Sequence, residues 1–317
     1  MIPSLNILVL NRLSEKELTS IQDTVPNANI TLCKPENAPD YIENTDILVT
    51  WGHLSILKLL PKAPRLKWIH ALSAGVDELL IPDLIESDII LTNSRGIHGI
   101  PMAEHVMAMI LTLSRQIPES LKNQQNKLWQ RTRPDEIYDK TIGIIGLGSI
   151  GREIAKRSKA MGMKVIATKR TQTTEIFVNK LYSPEQLDIV LSASDFVVVT
   201  LPLTDKTRNL FVLDKFKSMK KTAYFINVAR GSIVHQPDLV TALKEGYIKG
   251  AALDVVDIEP LSSDSPLWEM ENVLITPHVA AMSPYYLERA IKLFIENLTK
   301  YMHSTDMLNV IDKAKGY

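Results

Sequence analysis

The sequence predicts an α/β protein made of two doubly wound parallel sheets. Three observations carry that expectation. Short apolar runs alternate with helical stretches over the first hundred residues. A second, longer series of the same kind runs from Thr141 to Thr276. Between the first strand and first helix of that second series lies a glycine-rich turn, Gly146-Leu147-Gly148-Ser149-Ile150-Gly151. Strands alternating with helices bury a parallel sheet between helical layers. A chain of 317 residues suits two domains of roughly 150 residues each.

The elements follow in order. Strands are expected at Asn6–Leu10, Asn29–Leu32, Asp46–Thr50, Lys67–His70 and Ile89–Thr92, with helices Glu15–Gln22 and Leu54–Leu60 between them. Near residue 100 the period changes. Pro101 suits a first helical turn, and Met102, Val106, Met109, Ile110 and Leu113 recur at helical spacing. A polar stretch, Lys122 to Arg133, contains Trp129. The run Thr141-Ile142-Gly143-Ile144-Ile145 then reads as a buried strand, and Ile150, Ile154 and Met161 share one face of the helix after the glycine turn. Further strands are expected at Lys164–Thr168, Phe196–Leu201, Ala223–Val228, Gly250–Val255 and Val273–Thr276. Helices fall at Pro184–Ser192, capped by Ser183, and at Pro237–Glu245, closed by Gly246. A last helix, about Tyr285 to Met302, lines up Leu287, Ile291, Phe294, Ile295, Leu298 and Met302. No sheet follows it, so the first domain is the available cover for that face. The second series is therefore expected as an insertion, residues 98–284, within a domain made of residues 1–97 and 285–317.

Strand, glycine-rich turn and helix in that order predict a dinucleotide site in a Rossmann domain. The glycines allow the tight turn, close approach of a pyrophosphate, and close helix–strand packing. The unpaired N–H groups at the helix start face the anion. Gly146, Gly148, Ser149, Ile150 and Gly151 are the expected binding residues. An acid placed about 20 residues further on would bind the ribose hydroxyls of NAD. Here the chain reads Val165-Ile166-Ala167-Thr168-Lys169-Arg170-Thr171, and no acid appears before Glu175. Lys169 and Arg170 attract a 2′-phosphate that a carboxylate would repel, with Thr168 or Thr171 as added contacts. NADP(H) is the expected cofactor, with NAD(H) possible.

Composition narrows the function classes. The 36 basic and 36 acidic residues leave no electrostatic footprint for nucleic acid or a membrane surface. One cysteine, Cys33, excludes an internal disulfide and suits the reducing cytoplasm. The first apolar run, Asn6 to Leu10, is too short to span a membrane. The seven histidines lack metal-ligand spacing, so no metal is expected.

Three stretches carry the chemistry: Ile226-Asn227-Val228-Ala229-Arg230-Gly231; Ala252-Leu253-Asp254-Val255 with Asp257-Ile258-Glu259-Pro260; and Leu274-Ile275-Thr276-Pro277-His278. Each puts a polar residue just past a strand's C-terminal end, where open α/β sheets bind ligands. With the central glycine turn, Leu72-Ser73-Ala74-Gly75-Val76-Asp77, Ala103-Glu104-His105, and Leu201-Pro202-Leu203-Thr204 with Thr207, the whole chain resembles the D-isomer-specific 2-hydroxyacid dehydrogenases. Its NADP-preferring, glyoxylate/hydroxypyruvate reductase-like branch is the nearest fit. Lys169 stands where NAD-dependent members carry aspartate.

The resemblance implies a Rossmann domain inserted into a flavodoxin-like substrate domain. It implies a catalytic set of Arg230, Glu259 and His278. Reduction of a 2-oxo acid needs a hydride at C2 and a proton at the carbonyl oxygen. A histidinium is a suitable donor near neutral pH, and an adjacent carboxylate favours the charged imidazole and fixes its orientation. Those roles fall to His278 and Glu259. The Arg230 guanidinium binds the substrate carboxylate and polarises the carbonyl. Backbone N–H groups of Ala74, Gly75 and Val76 are implied to hold the carboxylate. Leu201, Pro202, Thr207, Val228 and Ala229 are implied to line the cofactor, with Asp254 near the nicotinamide. Glu104 and His105 are read first as helix-start polar residues. Trp51, Met102, Trp129 and Tyr285 are read first as packing residues.

The expected reaction is NADPH-dependent reduction of a small 2-oxo acid to the D-2-hydroxy acid by a homodimer, with Pro101–Arg133 as the pairing arm. Two alternatives stand beside it. One is a phosphoglycerate dehydrogenase-like enzyme, with His53 or Arg95 as a basic group for a substrate phosphate. The other is a dinucleotide-sensing binding protein of the co-repressor type.

Overall fold

The computed structural model describes residues 5–51 and 58–314. The chain divides into two compact units, Met1–Ile97 with Ser283–Tyr317, and His98–Met282.

The first unit holds β1 (Asn6–Val9), β2 (Asn29–Leu32), β3 (Ile47–Thr50), β4 (Trp68–Ala71) and β5 (Ile90–Asn93). All are parallel, in the order β2-β1-β3-β4-β5. That is the flavodoxin order of a doubly wound sheet. The inner strands β3 and β4 are buried at every residue, which is why they read as largely apolar runs despite Thr50 and His70. Leu8, Leu48, Ile69 and Leu91 pack on one face. Ile7, Val9, Val49 and Trp68 pack on the other, against Ile291, Phe294 and Leu298 of the helix Tyr286–Met302. The helix Glu15–Thr24 opens with a full capping box between Ser14 and Glu17. His70 is buried beside Thr92 at 2.8 Å, and burial pushes its pKa down to about 3, so the ring is neutral. The predicted helix Leu54–Leu60 falls largely outside the described residues, and Leu60–Lys62 is a 3₁₀ turn.

The second unit holds β6 (Thr141–Ile145), β7 (Lys164–Thr168), β8 (Lys180–Tyr182), β9 (Phe196–Val199), β10 (Tyr224–Asn227), β11 (Gly250–Leu253) and β12 (Val273–Ile275). Their order is β12-β11-β10-β9-β6-β7-β8, again all parallel. Strand order reverses between β6 and β9, the switch point where doubly wound sheets bind ligands. Ile142, Ile144, Val198 and Ile226 face the helices Gly99–Ser114 and Ser149–Ala160. Ile145, Val197, Val199 and Phe225 face the helices Leu187–Ala193 and Gln236–Lys244.

Besides the short helices Pro82–Ile85 and Leu213–Lys217, two further elements were not expected from the sequence. β8 is an added edge strand of three residues that begins with an exposed lysine, too short to show a period. The helix Ile117–Gln125 overlaps the stretch read only as polar. Its apolar residues Ile117 and Leu121 are exposed, so no buried stripe announced it. Among the described residues no helix is long and apolar enough to cross a membrane. Nor, among them, does any group of three or more His, Cys, Asp or Glu gather to hold a metal ion.

Candidate active site

The glycine turn follows β6, and each glycine has a distinct reason. Gly146 sits at φ 100°, in the left-handed region. Its N–H donates to Thr168 Oγ1 at 3.1 Å, and its carbonyl accepts from Thr200 Oγ1 at 2.6 Å. Leu201 lies over it, so a Cβ there would come within 2.8 Å of the leucine Cδ2. At Gly151 a Cβ would approach the Gly146 carbonyl oxygen to 2.8 Å, so the third glycine permits the close helix–strand contact. At Gly148 a Cβ would meet nothing within 4 Å. The second glycine thus leaves open space beside the start of the Ser149–Ala160 helix, whose first N–H groups receive no side-chain cap. Ser149 and Ile150 are the first residues of that helix. A turn with open space in front of uncapped N–H groups fits a pyrophosphate. After β9, Thr207 Oγ1 accepts from Thr204 N–H and donates to the Pro202 carbonyl, each at 2.7 Å, which shapes that loop. Val228 and Ala229 are buried just past β10.

The end of β7 adds a partner that sequence spacing did not announce. Lys169 is not an unpaired basic group: its Nζ lies 2.8 Å from Glu175 Oε1. The acid that sequence spacing placed too far away is folded back onto it. Arg170 is exposed.

The strands β10, β11 and β12 are neighbours, so the residues past their C-terminal ends share one edge. Asn227 clamps the first turn: its Oδ1 accepts from Ala229 N–H and its Nδ2 donates to the Arg230 carbonyl, both at 3.0 Å. Arg230 Nη1 donates to the Ala229 carbonyl at 2.8 Å. Gly231 lies hard against the next turn, where a Cβ would stand 1.9 Å from the Val256 carbonyl oxygen. Ser232 Oγ ties the same two turns by donating to Asp257 at 2.8 Å. Within the second turn, Val256 N–H donates to Glu259 Oε1 at 3.3 Å. The other carboxylate oxygen, Oε2, is 2.7 Å from His278 Nδ1.

His278 itself adopts φ 54°, uncommon for a non-glycine residue. Asp254 explains how it is held. The buried Asp254 carboxylate accepts from Thr276 Oγ1 at 2.6 Å, Val279 N–H at 2.9 Å and Ala280 N–H at 3.0 Å. The Asp254 carbonyl accepts from His278 N–H at 2.8 Å. The side chain expected near the nicotinamide is thus turned onto the loop that carries His278. His105 joins this network, with Nε2 3.0 Å from Thr276 Oγ1, whereas Glu104 is exposed and pairs with Arg157 at 3.6 Å. His98 is buried, and burial together with the Arg230 charge pushes its pKa down to about 4. With Nδ1 fixed by a carboxylate, the His278 ring has Nε2 left for proton transfer.

Gly231, Asn227, Thr276 and the pairing of His105 were not singled out by sequence reasoning. Gly231 and Asn227 lie inside the quoted Arg230 motif, but the packing of one turn on another leaves no local signal.

In the first unit, Ser73 Oγ donates to the Gly75 carbonyl at 2.7 Å, and Asn93 Nδ2 donates to the Ala74 carbonyl. Ser94 N–H holds the Ser73 carbonyl at 3.0 Å, and Val76 is buried. The Ser73–Val76 loop is thereby braced by its own unit. Trp51 packs on Tyr286 with ring centroids 5.2 Å apart, and Met102 is a core residue. Trp129 and Tyr285 are exposed, as is Arg95. His53 lies outside the described residues.

Comparison with known proteins identifies the family. The model of the D-isomer specific 2-hydroxyacid dehydrogenase, NAD binding domain, matches residues 107–280. The chain is 33% identical over 312 residues to a glyoxylate reductase of Pyrococcus horikoshii, covering 95% of this chain and 90% of that one. It is 31% identical over 310 residues to a D-3-phosphoglycerate dehydrogenase of Methanocaldococcus jannaschii, covering 96% of this chain but only 59% of the longer relative. A crystal structure of a D-isomer specific 2-hydroxyacid dehydrogenase family protein from Aeromonas salmonicida superposes with a TM-score of 0.89 at 32% identity, covering 98% of this chain and 99% of that one. An NADPH-dependent glyoxylate/hydroxypyruvate reductase from Sinorhizobium meliloti, solved with NADP and sulfate, gives a TM-score of 0.84 at 30% identity, covering 99% and 100%. With the glycine turn at the switch point and a carboxylate–imidazole pair at the same sheet edge, the chain belongs to the D-isomer specific 2-hydroxyacid dehydrogenase family.

Proposed function

We propose that this chain is an NADPH-dependent reductase that converts a small 2-oxo acid to the D-2-hydroxy acid. The observation that carries the reading is the His278–Glu259 pair at 2.7 Å, on the strand edge that also bears Arg230. When bound, the nicotinamide supplies the hydride that C2 of the substrate accepts. Arg230 holds the substrate carboxylate and draws electron density from the carbonyl. His278 Nε2 gives its proton to the carbonyl oxygen as negative charge develops there, and takes one back in the oxidation direction. Glu259 keeps the ring oriented and stabilises the imidazolium.

Gly146, Gly148, Ser149, Ile150 and Gly151 cradle the pyrophosphate. Leu201, Pro202, Thr207, Val228, Ala229 and Asp254 border the cofactor, and Lys169 and Arg170 favour a 2′-phosphate. The missing aspartate at the end of β7 supports NADP(H), as does the NADPH dependence of the Sinorhizobium relative. Cys33, a lone thiol, suits a cytoplasmic enzyme.

A matrix of 2-oxo acids against both cofactors tests this. Glyoxylate or hydroxypyruvate should give the highest kcat/KM, and NADPH should exceed NADH by about tenfold, or roughly 1.4 kcal/mol in transition-state stabilisation. A clear NADH preference would overturn the cofactor assignment. Oxidation of 3-phosphoglycerate in preference to all others would favour the phosphoglycerate dehydrogenase reading, which the 31% identity to such an enzyme supports. Failure to oxidise NADPH with any 2-oxo acid would favour a dinucleotide-sensing binding protein.

The protein is further read as a homodimer that pairs through the segment 101–133. Ile117, Leu121, Leu128 and Trp129 are all exposed there, and Trp129 is fully so. Sedimentation velocity should give a dimer at working concentration. A clean monomer would sink this reading.

A further inference from the structure

The loop after β7 and the start of the helix Ser149–Ala160 share a cluster that the proton chemistry does not use. Arg152 grips the Glu175 carboxylate with two bonds, Nε to Oε2 at 2.9 Å and Nη2 to Oε1 at 2.8 Å. Lys169 Nζ donates to Oε1 at 2.8 Å, and Thr173 Oγ1 donates to it at 2.9 Å. Lys169 also donates to Thr173 at 2.6 Å. The Glu175 side chain is only 11% exposed. Its carboxyl is held down to about 2, first by Arg152 and then by Lys169 and Thr173 against the cost of burial.

Two cations and a hydroxyl converging on one anion form a phosphate-type donor set, with the bidentate arginine as its most specific member. Its location matters as much as its chemistry. Arg152 directly follows Gly151, the last glycine of the turn. Lys169 is the first residue past β7, the strand paired with β6. In a doubly wound dinucleotide domain that strand end meets the adenosine ribose.

We propose that Arg152, Lys169 and Thr173 form the 2′-phosphate subsite, and that Glu175 is an internal anion that competes with the phosphate for it. This rests on the NADP(H) reading and adds to it a residue that sets how strongly the chain discriminates. A phosphate dianion with three acceptor oxygens displaces the single carboxylate. With a cofactor that lacks the phosphate, Glu175 stays and keeps the two cations neutralised. Discrimination is then a difference between two anions, and NAD(H) is tolerated instead of excluded. A subsite that is self-occupied also lowers apparent affinity by the fraction of time it is open.

Calorimetric titration with adenosine 2′,5′-bisphosphate and with AMP isolates the phosphate term, because the two ligands differ only there. Glu175→Gln should tighten the bisphosphate about five- to tenfold and shift AMP by less than about twofold. Adding Arg152→Ala to that variant should reverse the gain. AMP binding and a thermal melt report that each variant is folded. If Glu175→Gln leaves the bisphosphate-to-AMP ratio unchanged or lowers it while the parent prefers the bisphosphate, the internal competitor is wrong and the NADP(H) reading stands. If the parent binds both alike and the variant gains a preference, the competitor stands and the NADP(H) preference falls. If neither shows a preference, both fall.

Discussion

His278→Ala lowers turnover by a factor of about 10²–10⁴ and leaves NADPH affinity within about twofold of the parent, the loss expected for a positioned general acid. The separation of the two effects follows from placement. His278 belongs to the loop after β12, at the far side of β9, β10 and β11 from the glycine turn after β6. Its ring touches Glu259, not the turn. Removing the imidazole would delete the proposed proton donor and leave the Asp254 anchors on Thr276, Val279 and Ala280 in place. Turnover numbers and fluorescence titration of NADPH read the two quantities independently. Unchanged turnover would remove His278 as the acid, and a parallel collapse of NADPH binding would show that the variant had lost more than a proton donor.

Gly231→Ala is expected to cost about 1–3 kcal/mol of stability and about a hundredfold in kcat/KM. The added methyl carbon would stand 1.9 Å from a backbone carbonyl oxygen, 2.0 Å from its carbon and 2.4 Å from the next backbone nitrogen. Backbone atoms cannot rotate away as the tip of a side chain can. The Arg230 turn and the Val256–Glu259 turn must therefore part. One substitution displaces the guanidinium from one side and the carboxylate that orients His278 from the other. Thermal unfolding checks the first number and steady-state kinetics the second. Full activity in a folded Gly231→Ala protein would mean that the contact between the turns does not set the catalytic geometry.

Much of this protein can be read along the chain, and the reason is locality. β3 and β4 are buried on both faces, so they are mostly apolar, with Thr50 and His70 as their buried polar residues. The glycine turn needs a left-handed residue, an open one and a closely packed one within six positions, and that requirement is written in consecutive letters. Arg230, Glu259 and His278 each follow a strand by a few residues, so their residue types could be named. β8 and the helix Ile117–Gln125 were hidden because neither buries a periodic stripe.

Folding alone decided the partners. Glu175 lies six positions past Lys169 and 23 past Arg152, and only the turn of the loop after β7 brings it between them. Asp254 reaches the His278 loop from 22 to 26 positions away because β11 and β12 run side by side. Gly231 meets Val256 because β10 and β11 end level with each other. Sequence determines which side chains stand at the end of each strand, because strand and turn propensities act over a few neighbouring residues. Which of those side chains meet depends on strand order and register, which are set by burying two faces of a sheet at once.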